Sequence, residues 1–171
     1  PPNSPFFRLA VSGKTKEELE QNKELKSEIE KSLANIEREV SKKIEQLALR
    51  VSVFEALKHL IVSGNVLTYL PKTGTMRVFP LTHYVCNRDA SGNVLEIVIK
   101  ESISPLSLPL EVMEKVVSDP EYKKDEDIEL YTHIYRLENN KFYICQEVNG
   151  MKIPESVGNF TKDQMPYAAL R

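Results

Sequence analysis

One long apolar stripe constrains the fold of this chain more than any other feature of its sequence. After Leu25 the apolar side chains recur at steps of three or four residues, and the whole stripe comprises Leu19, Leu25, Ile29, Leu33, Ile36, Val40, Ile44 and Leu47. This spacing places them on one face of an α-helix, which completes a turn about every 3.6 residues. The sequence therefore predicts a long amphipathic helix whose apolar face needs a partner surface, on this chain or on a neighbour.

Two capping boxes mark predicted helix starts. In Thr15-Lys16-Glu17-Glu18 and in Ser52-Val53-Phe54-Glu55 a hydroxyl residue is followed three positions later by glutamate. Such a pair satisfies backbone N–H groups that a helix start leaves without partners. Gly64 predicts the end of the second helix, because glycine adopts the left-handed C-cap conformation without strain. Before the first box, residues 6–11 are predicted to form a short strand that Ser12-Gly13 turns.

After Gly64 the pattern changes to short β-rich runs separated by turns. The predicted strands cover residues 66–70, 76–79, 82–87, 94–100, 128–137, 141–148, 151–153 and 167–170. Turn residues between them, such as Asn139-Asn140 and Asn149-Gly150, favour antiparallel hairpins. A short helix opens near Pro109 and closes at Asp119-Pro120, and the stretch between residues 153 and 167 is predicted to be a loop.

Helices first and antiparallel strands afterwards predict an α+β fold. In that fold N-terminal amphipathic helices pack with a β-hairpin and meander region and one short additional helix. We expect a strand and helical region over residues 1–64 and a mainly antiparallel β region over residues 65–171, with the short helix near residues 109–118. The length of 171 residues, of which 41% are hydrophobic, suits one domain or a compact pair of subdomains.

The charge balance does not demand a nucleic-acid-binding surface, and it does not exclude passive contact with DNA. The chain has 23 basic and 25 acidic residues, a formal net charge of −2, whereas a nucleic-acid-binding domain usually carries a basic patch. No signal peptide or transmembrane run is visible in the sequence. Cys86 and Cys145 are predicted to be buried free thiols, because their separation matches no metal-binding spacing.

The candidate chemical motifs are all incomplete. Ser12-Gly13-Lys14-Thr15 resembles the end of a phosphate-binding P-loop, but Arg8 stands where that loop needs its other glycine. His59, His83 and His133 are predicted to lie in a helix and in two strands. They lack the spacing of a metal site or of a nucleophile–base pair, so packed or surface histidines are the expectation.

The acidic run after Pro120 does not form a calcium-binding loop. Its carboxylates, Glu121, Asp125, Glu126 and Asp127, are interrupted by Lys123-Lys124. The run also lacks the alternating oxygen ligands and the glycine that such a loop needs, so a solvated loop is predicted. We therefore expect no catalytic residue, no cofactor and no metal site, and we expect the chain not to be an enzyme.

Four ordered blocks of the sequence resemble the portal proteins, or head-to-tail connectors, of short-tailed phages. They are VFEALKHLIVSGNVLTYLP at residues 53–71, YVCNRDASGNVLEIV at 84–98, YTHIY at 131–135, and a block from EVNGM at 147 to Pro166-Tyr167. Order and spacing are similar to the family over nearly the whole chain. The N-terminal helices match loosely, mainly through Arg8-Leu9 and the helical pattern. The blocks hold helix ends and hairpin turns, so their physical content is structural.

The resemblance implies a structural ring component. Portal proteins of this family assemble as a ring, typically of twelve subunits, at one capsid vertex of the virion. DNA enters through the ring, driven by the terminase motor, and leaves through it into the host. The ring also nucleates head assembly. The segment resembles most of the portal wing, so a further stretch would precede Pro1, and the stem, clip and crown would follow Arg171.

The same resemblance implies a set of partners. They are other copies of the chain, capsid, scaffolding or internal core proteins, and the viral DNA that passes through the channel. Terminase and the tail adaptor would bind mainly through the clip, and the stem forms most of the channel wall, so no residue of this chain is assigned to those contacts. No membrane partner is expected. The implied location is the portal vertex, and the host cytoplasm during assembly.

Two other classes of function stay open from the sequence. A free-standing α+β protein-binding module, such as a regulator or an adaptor, would be self-contained with one recognition patch. A nucleotide-using enzyme would need a concave pocket with convergent polar groups. A ring component instead predicts strand edges and apolar patches that only neighbouring subunits cover.

Overall fold

The computed structural model describes residues 7–12, 23–120, 122 and 126–171. Within those ranges the chain has three α-helices, α1 (Lys23–Gln46), α2 (Leu49–Ser63) and α3 (Leu110–Val117). The strands are β1 (Val66–Tyr69), β2 (Arg77–Phe79), β3 (Tyr84–Arg88), β4 (Val94–Ile103), β5 (Ile128–Arg136), β6 (Lys141–Val148), β7 (Met151–Thr161) and β8 (Tyr167–Leu170). Neighbouring strands pair antiparallel, so the predicted α+β class is confirmed.

A two-residue turn, Leu47-Ala48, separates α1 from α2. Ala48 has a φ of 49°, the left-handed conformation that commonly ends a helix, and its carbonyl accepts the Val51 N–H at 3.0 Å. Because α2 therefore begins at Leu49, the predicted start at the Ser52 capping box is wrong, and Ser52 lies inside the helix. The predicted end is confirmed, since Gly64 follows the last helical residue with a φ of 69°.

The chain divides into two compact units, residues 1–53 and 54–171. In the first unit the Leu9 N–H donates a 2.5 Å hydrogen bond to Glu37 Oε1 of α1. Residues 7–12 form no strand. The strand predicted over residues 6–11 is therefore wrong for its described part, where a contact to a helix side chain replaces a strand ladder.

Several predictions fall on residues outside the described ranges. They concern the capping box that begins at Thr15, the Gly13-Lys14-Thr15 part of the P-loop-like motif, and Leu19 of the apolar stripe. The predicted division of the chain after residue 64 stays a prediction.

In the second unit β1 is the central strand of a three-stranded sheet with the order β2–β1–β8. Val66 and Leu67 of β1 are fully buried. Tyr69 stacks on Tyr167 of β8 with ring centroids 4.4 Å apart, and burial raises the pKa of the Tyr167 phenol. The predicted strand near the end of the chain is thus confirmed, and it completes a sheet that began about 100 residues earlier.

The other strands form an antiparallel meander in the order β3–β4–β5–β6–β7. Alternate side chains of a strand point to opposite faces of its sheet, and one face of this meander is buried while the other is open. The buried residues contributed by β4, β5 and β6 to the core face are Ile97, Ile99, Ile128, Leu130, Thr132, Ile134, Phe142, Ile144 and Val148. β5 lies at the centre, so both of its long edges are hydrogen-bonded.

Two apolar clusters stabilise the second unit. In the first, Leu67 and Phe79 of the three-stranded sheet pack with Ile97 and Ile134 of the meander. In the second, Val112 and Val116 of α3 cover the end of the meander where β5 begins; the residues they pack with are Leu108, Ile128, Leu130, Val148 and Ile153. The short predicted helix is therefore confirmed, and its apolar side fills the core.

The sequence prediction departs from the structure over its longest stretch at β7. A strand is predicted only over residues 151–153 with a loop after it, whereas β7 continues through Thr161. β7 is an edge strand. An edge strand accommodates Pro154 because one side of the strand needs no ladder hydrogen bonds, and proline has no N–H to donate. The β6–β7 register shifts between Ile144 and Gln146. There the Ser156 hydroxyl accepts the Gln146 N–H at 2.7 Å and donates to the Ile153 carbonyl at 2.6 Å, which bridges the irregularity.

Candidate assembly surfaces

The three histidines lie on separate elements and make local contacts. The His59 carbonyl, on α2, accepts the Ser63 hydroxyl at 2.9 Å. His83 lies in the 3₁₀ turn Leu81–His83, so its predicted strand position is wrong; Pro80, which lacks an N–H, precedes this turn, and β3 begins only at Tyr84. Within the described ranges no three His, Cys, Asp or Glu side chains are grouped as metal ligands would be.

His133 belongs to a polar and aromatic row on the open face of the meander. Its Nε2 lies 2.7 Å from Glu96 Oε1 of β4. Its ring centroid is 4.9 Å from that of Tyr135, which is 5.1 Å from that of Tyr143. The open cavity around the pair, of about 520 Å³, is lined by Asn87, Leu95, Glu96, His133, Tyr135 and Lys152. Half-exposed tyrosines of this kind are typical of protein interfaces.

Both cysteines are free thiols, as predicted. Cys145 is buried, whereas Cys86 is only half-buried, because it lies on β3 at the edge of the meander. Burial raises the pKa of the Cys86 thiol, and the positive charges of Arg88 and Arg171 oppose that rise. A raised pKa leaves less thiolate at neutral pH, so the Cys86 environment favours packing over reactivity.

A cavity of about 570 Å³, termed the basic cavity, opens between the two sheets where β5 ends. Its apolar lining comes from both sheets and comprises Val94, Ile97, Phe142, Met165, Tyr167, Ala168 and Ala169. Arg136 and Lys162 lie at its wall together with Asn93 and Asn140. Neither cation forms an ion pair with any residue that the structure describes. The basic cavity thus combines an apolar lining with two positive charges that form no ion pair among the described residues, although Arg136 lies near enough to Asp89 for their charges to interact.

Two arginines lie beside the basic cavity. Arg88 donates hydrogen bonds of 2.9 Å to the carbonyls of Gly92 and Ala169. The Arg171 guanidinium lies so close to Gly92 that a Cβ at that position would be 2.7 Å from its Nη2. A side chain at Gly92 would therefore displace Arg171. Sequence reasoning missed this cluster, because its residues come from three segments that only the fold brings together.

The opposite end of β5 is acidic. An open cavity of about 600 Å³, termed the acidic cavity, is lined there by Asp119, Tyr122, Glu126, Asp127, Ile128, Glu129, Tyr131, Glu147, Asn149 and Gly150. Hydrogen bonds from Lys100 and Tyr131 lower the pKa of Glu129. The predicted acidic run therefore contributes Glu126 and Asp127 to a solvent-facing surface, while Glu121 and Asp125 lie outside the described residues.

Helix α2 presents a largely apolar face to solvent. Its exposed side chains include Phe54, Leu57, Ile61 and Val62, and the last two are each 85% exposed. Phe54, Leu57 and Ile61 recur at helical spacing and so lie on one side of α2. Lys58 Nζ lies 4.6 Å from the Phe54 ring centroid. Contiguous exposed apolar surface of this kind marks an interaction site more often than scattered single residues do.

Helix α1 confirms the predicted long helix and leaves its apolar stripe largely uncovered. Leu25, Ile36 and Val40 are exposed, and Ile29, Leu33, Ile44 and Leu47 are half-buried. Among the side chains described for α1, none is buried. The predicted need for a further partner surface therefore persists in the folded chain. No helix in the described ranges has both the length and the hydropathy to cross a membrane.

Comparison with known proteins gives matches over nearly the whole chain. The family model described as "Bacteriophage head to tail connecting protein" matches residues 1–171. The chain is 36% identical over 177 residues to the portal protein of Escherichia phage T7 and 35% identical over 176 residues to that of Enterobacteria phage T3. The portal protein of Enterobacteria phage SP6 is 27% identical over 176 residues. Each alignment covers 99% of this chain and 33% of the relative, so the chain spans about a third of the length of these curated relatives.

Proposed function

This chain belongs to the family of bacteriophage head to tail connecting proteins, and we propose that it is a structural segment of a portal ring. Such a ring occupies one vertex of the capsid, and viral DNA passes through it during packaging and ejection. The observation that carries the proposal is the similarity to two phage portal proteins at 35–36% identity over 99% of the chain.

The exposed surfaces support an assembly role. A closed ring needs two different faces on every subunit, one for each neighbour. Phe54, Leu57, Ile61 and Val62 of α2 form an apolar face, and burial of apolar area contributes about 25 cal/mol per Å² to association before its costs. The partly covered stripe of α1 is a second surface of the same kind.

The proposed role involves no catalytic step. His59, His83 and His133 lie on three different elements. The cavity beside His133 has no serine, threonine or cysteine among the described residues that line it. The contact between Glu96 and His133 is a hydrogen bond between neighbouring strands on a half-exposed sheet face, and stabilisation of the sheet is sufficient to explain it.

The proposed partners follow from the portal role. They are further copies of the chain in a dodecameric ring, the surrounding capsid, scaffolding or internal core proteins, and DNA in the channel. Terminase and the tail adaptor are proposed to bind other parts of the ring. The protein would reside in the host cytoplasm during assembly and at the portal vertex afterwards.

Quantitative mass spectrometry of purified virions tests the proposal. Peptides of residues 54–171 are expected at a small fixed ratio to the major capsid protein, corresponding to one ring per particle, and they are expected to persist after salt washing and nuclease treatment. A free-standing regulator or an enzyme would be found in infected cells and not in washed virions, and that result would contradict the proposal.

A further inference from the structure

We propose that the acidic end of the meander in one subunit docks onto the basic cavity of the next subunit. The proposal rests on the proposed ring function and deepens it, because it identifies two surfaces that meet between neighbours. The occupant of the basic cavity is a second copy of this chain.

The two surfaces lie at opposite ends of one strand. Ile128, the first residue of β5, lines the acidic cavity, and Arg136, its last residue, lines the basic cavity. A nine-residue strand spans about 26 Å at roughly 3.3 Å per residue. Two faces on opposite ends of a rigid strand cannot meet within one subunit. They are arranged as a head-to-tail contact requires, in which one face of each copy binds the other face of its neighbour.

The charges of the two ends are complementary. The acidic cavity is lined by five described carboxylates, namely Asp119, Glu126, Asp127, Glu129 and Glu147. One of them, Glu129, is paired with Lys100 at 2.5 Å. The segments around the basic cavity, residues 88–93, 136–141 and 162–171, have five basic and three acidic side chains, a charge of +2. Asp89, one of those three acids, is bound to Asn93 at 2.8 and 2.9 Å and forms no ion pair with Arg136 within the described residues.

The acidic end also offers an apolar side chain to the apolar lining of the basic cavity. β4 ends at Ile103, which pairs with Ile128 at the start of β5. Leu106 follows in the 3₁₀ turn Pro105–Ser107 and is 83% exposed. Ser102 Oγ lies 3.4 Å from Asp127 Oδ2, which places this turn near the carboxylates. An exposed leucine beside acidic groups matches a cavity that has an apolar lining and two cations in its wall.

Charge reversal with mixing tests the contact in the protein at its natural length. The basic-end variant is Arg136→Glu with Lys162→Glu. The acidic-end variant is Glu126→Lys with Asp127→Lys and Glu147→Lys, which changes the summed charge of the described residues that line the acidic cavity from −5 to +1. Each variant alone places like charges across every contact, so we expect the concentration at which rings form to rise roughly tenfold or more. Mixed in equal amounts, the two variants place opposite charges at both kinds of contact, and an even-numbered ring of alternating subunits is expected near the wild-type concentration.

The readout is mass photometry at increasing protein concentration. Lys31→Glu with Lys72→Glu is the matched control, because both lysines are exposed, neither lines either cavity, and the charge change equals that of the basic-end variant. The control is expected to assemble as wild type. Rescue on mixing also shows that the variants are folded, which thermal melts of each variant check independently.

The possible outcomes separate this contact from the ring function. If either single-end variant forms rings at the wild-type concentration, the contact is refuted while the portal role stands. The contact is also refuted if the mixed variants do not form rings near the wild-type concentration although each variant has the melting temperature of the wild-type protein. If the wild-type protein forms no ring under any condition, the contact and the proposed function fall together.

Discussion

Alanine substitutions at two isoleucines of the second unit distinguish side chains that stabilise the fold from side chains that are available for assembly. Ile134, in the central strand β5, has no solvent-exposed surface, whereas Ile61 on α2 is 85% exposed. Truncation to alanine removes the same atoms at both sites. At Ile134 the loss is about 2.4 kcal/mol of transfer free energy, at roughly 0.8 kcal/mol per methylene. The cavity left in the core raises the cost to about 3–4 kcal/mol. At Ile61 neither contribution applies.

Ile61→Ala is therefore expected to change the free energy of unfolding by less than about 0.5 kcal/mol, since alanine also has the higher helix propensity. Urea unfolding followed by circular dichroism, at a protein concentration too low for assembly, measures both variants. Ile134→Ala is expected to lower the denaturation midpoint without changing the slope of the transition. A loss above about 1.5 kcal/mol for Ile61→Ala would refute the reasoning, because it would mean that the α2 face is buried within the folded chain.

Three smaller changes test local features of the fold. Ala48→Gly is expected to stabilise the chain by about 0.5–1 kcal/mol in thermal melts, because glycine relieves the strain of a positive φ at the α1–α2 turn; a destabilised variant would contradict the turn. Gly150→Ala is expected to cost about 1 kcal/mol in the same assay, since Gly150 has a φ of 74° in the β6–β7 turn, and an unchanged melting temperature would argue against that conformation. Two hydrogen bonds from Asn93 hold the pKa of the Asp89 carboxyl below its ordinary value of 3.8, and the bond from the Asn93 side chain has a larger effect than the bond from its backbone N–H. The stability that the charged form contributes is therefore complete above pH 3.8 and is lost as the pH falls through the lowered pKa; an NMR titration is expected to show this, with Asn93→Ala moving the pKa back up, and an unchanged pKa in that variant would contradict the contact.

Much of the fold is predictable because its signals are local. The apolar stripe from Leu25 to Leu47 repeats at helical spacing, and α1 forms there. Asn149-Gly150 supplies the two positive φ values that a tight hairpin turn needs. Gly64 ends α2 for the same conformational reason. In each case residues close together in the sequence decide the backbone conformation, so no knowledge of distant parts of the chain is required.

One error comes from a neighbouring turn, and the other two occur where a distant segment decides the structure. The capping box at Ser52 has the residues of a helix start, but the reversal at Ala48 begins α2 three residues earlier. Pro154 and Gly158 obscure the alternation of β7, and pairing with β6 nevertheless keeps this stretch extended as an edge strand. Residues 7–11 are apolar enough for a strand but have no strand beside them in the part of the chain that the structure describes.

The candidate surfaces were predictable only in part. The sequence indicates that the α1 stripe needs a partner, and the exposed residues of that stripe agree. The basic cavity has no sequence signal, because Arg136 and Lys162 are separated by a whole hairpin and reach the same wall only through the β5–β6–β7 meander. The exposed apolar face of α2 also depends on the tertiary fold, which buries Ala56 alone among the residues of that helix, and the sequence pattern does not specify this.

Single-particle electron microscopy of the protein at its natural length tests the central claim most directly. The account predicts closed rings of one rotational symmetry in which a neighbouring subunit covers the apolar face of α2, and in which the acidic end of each meander lies against the basic cavity of the next copy. A particle that stays monomeric at all concentrations, with Phe54, Leu57, Ile61 and Val62 still exposed to solvent, would contradict the account.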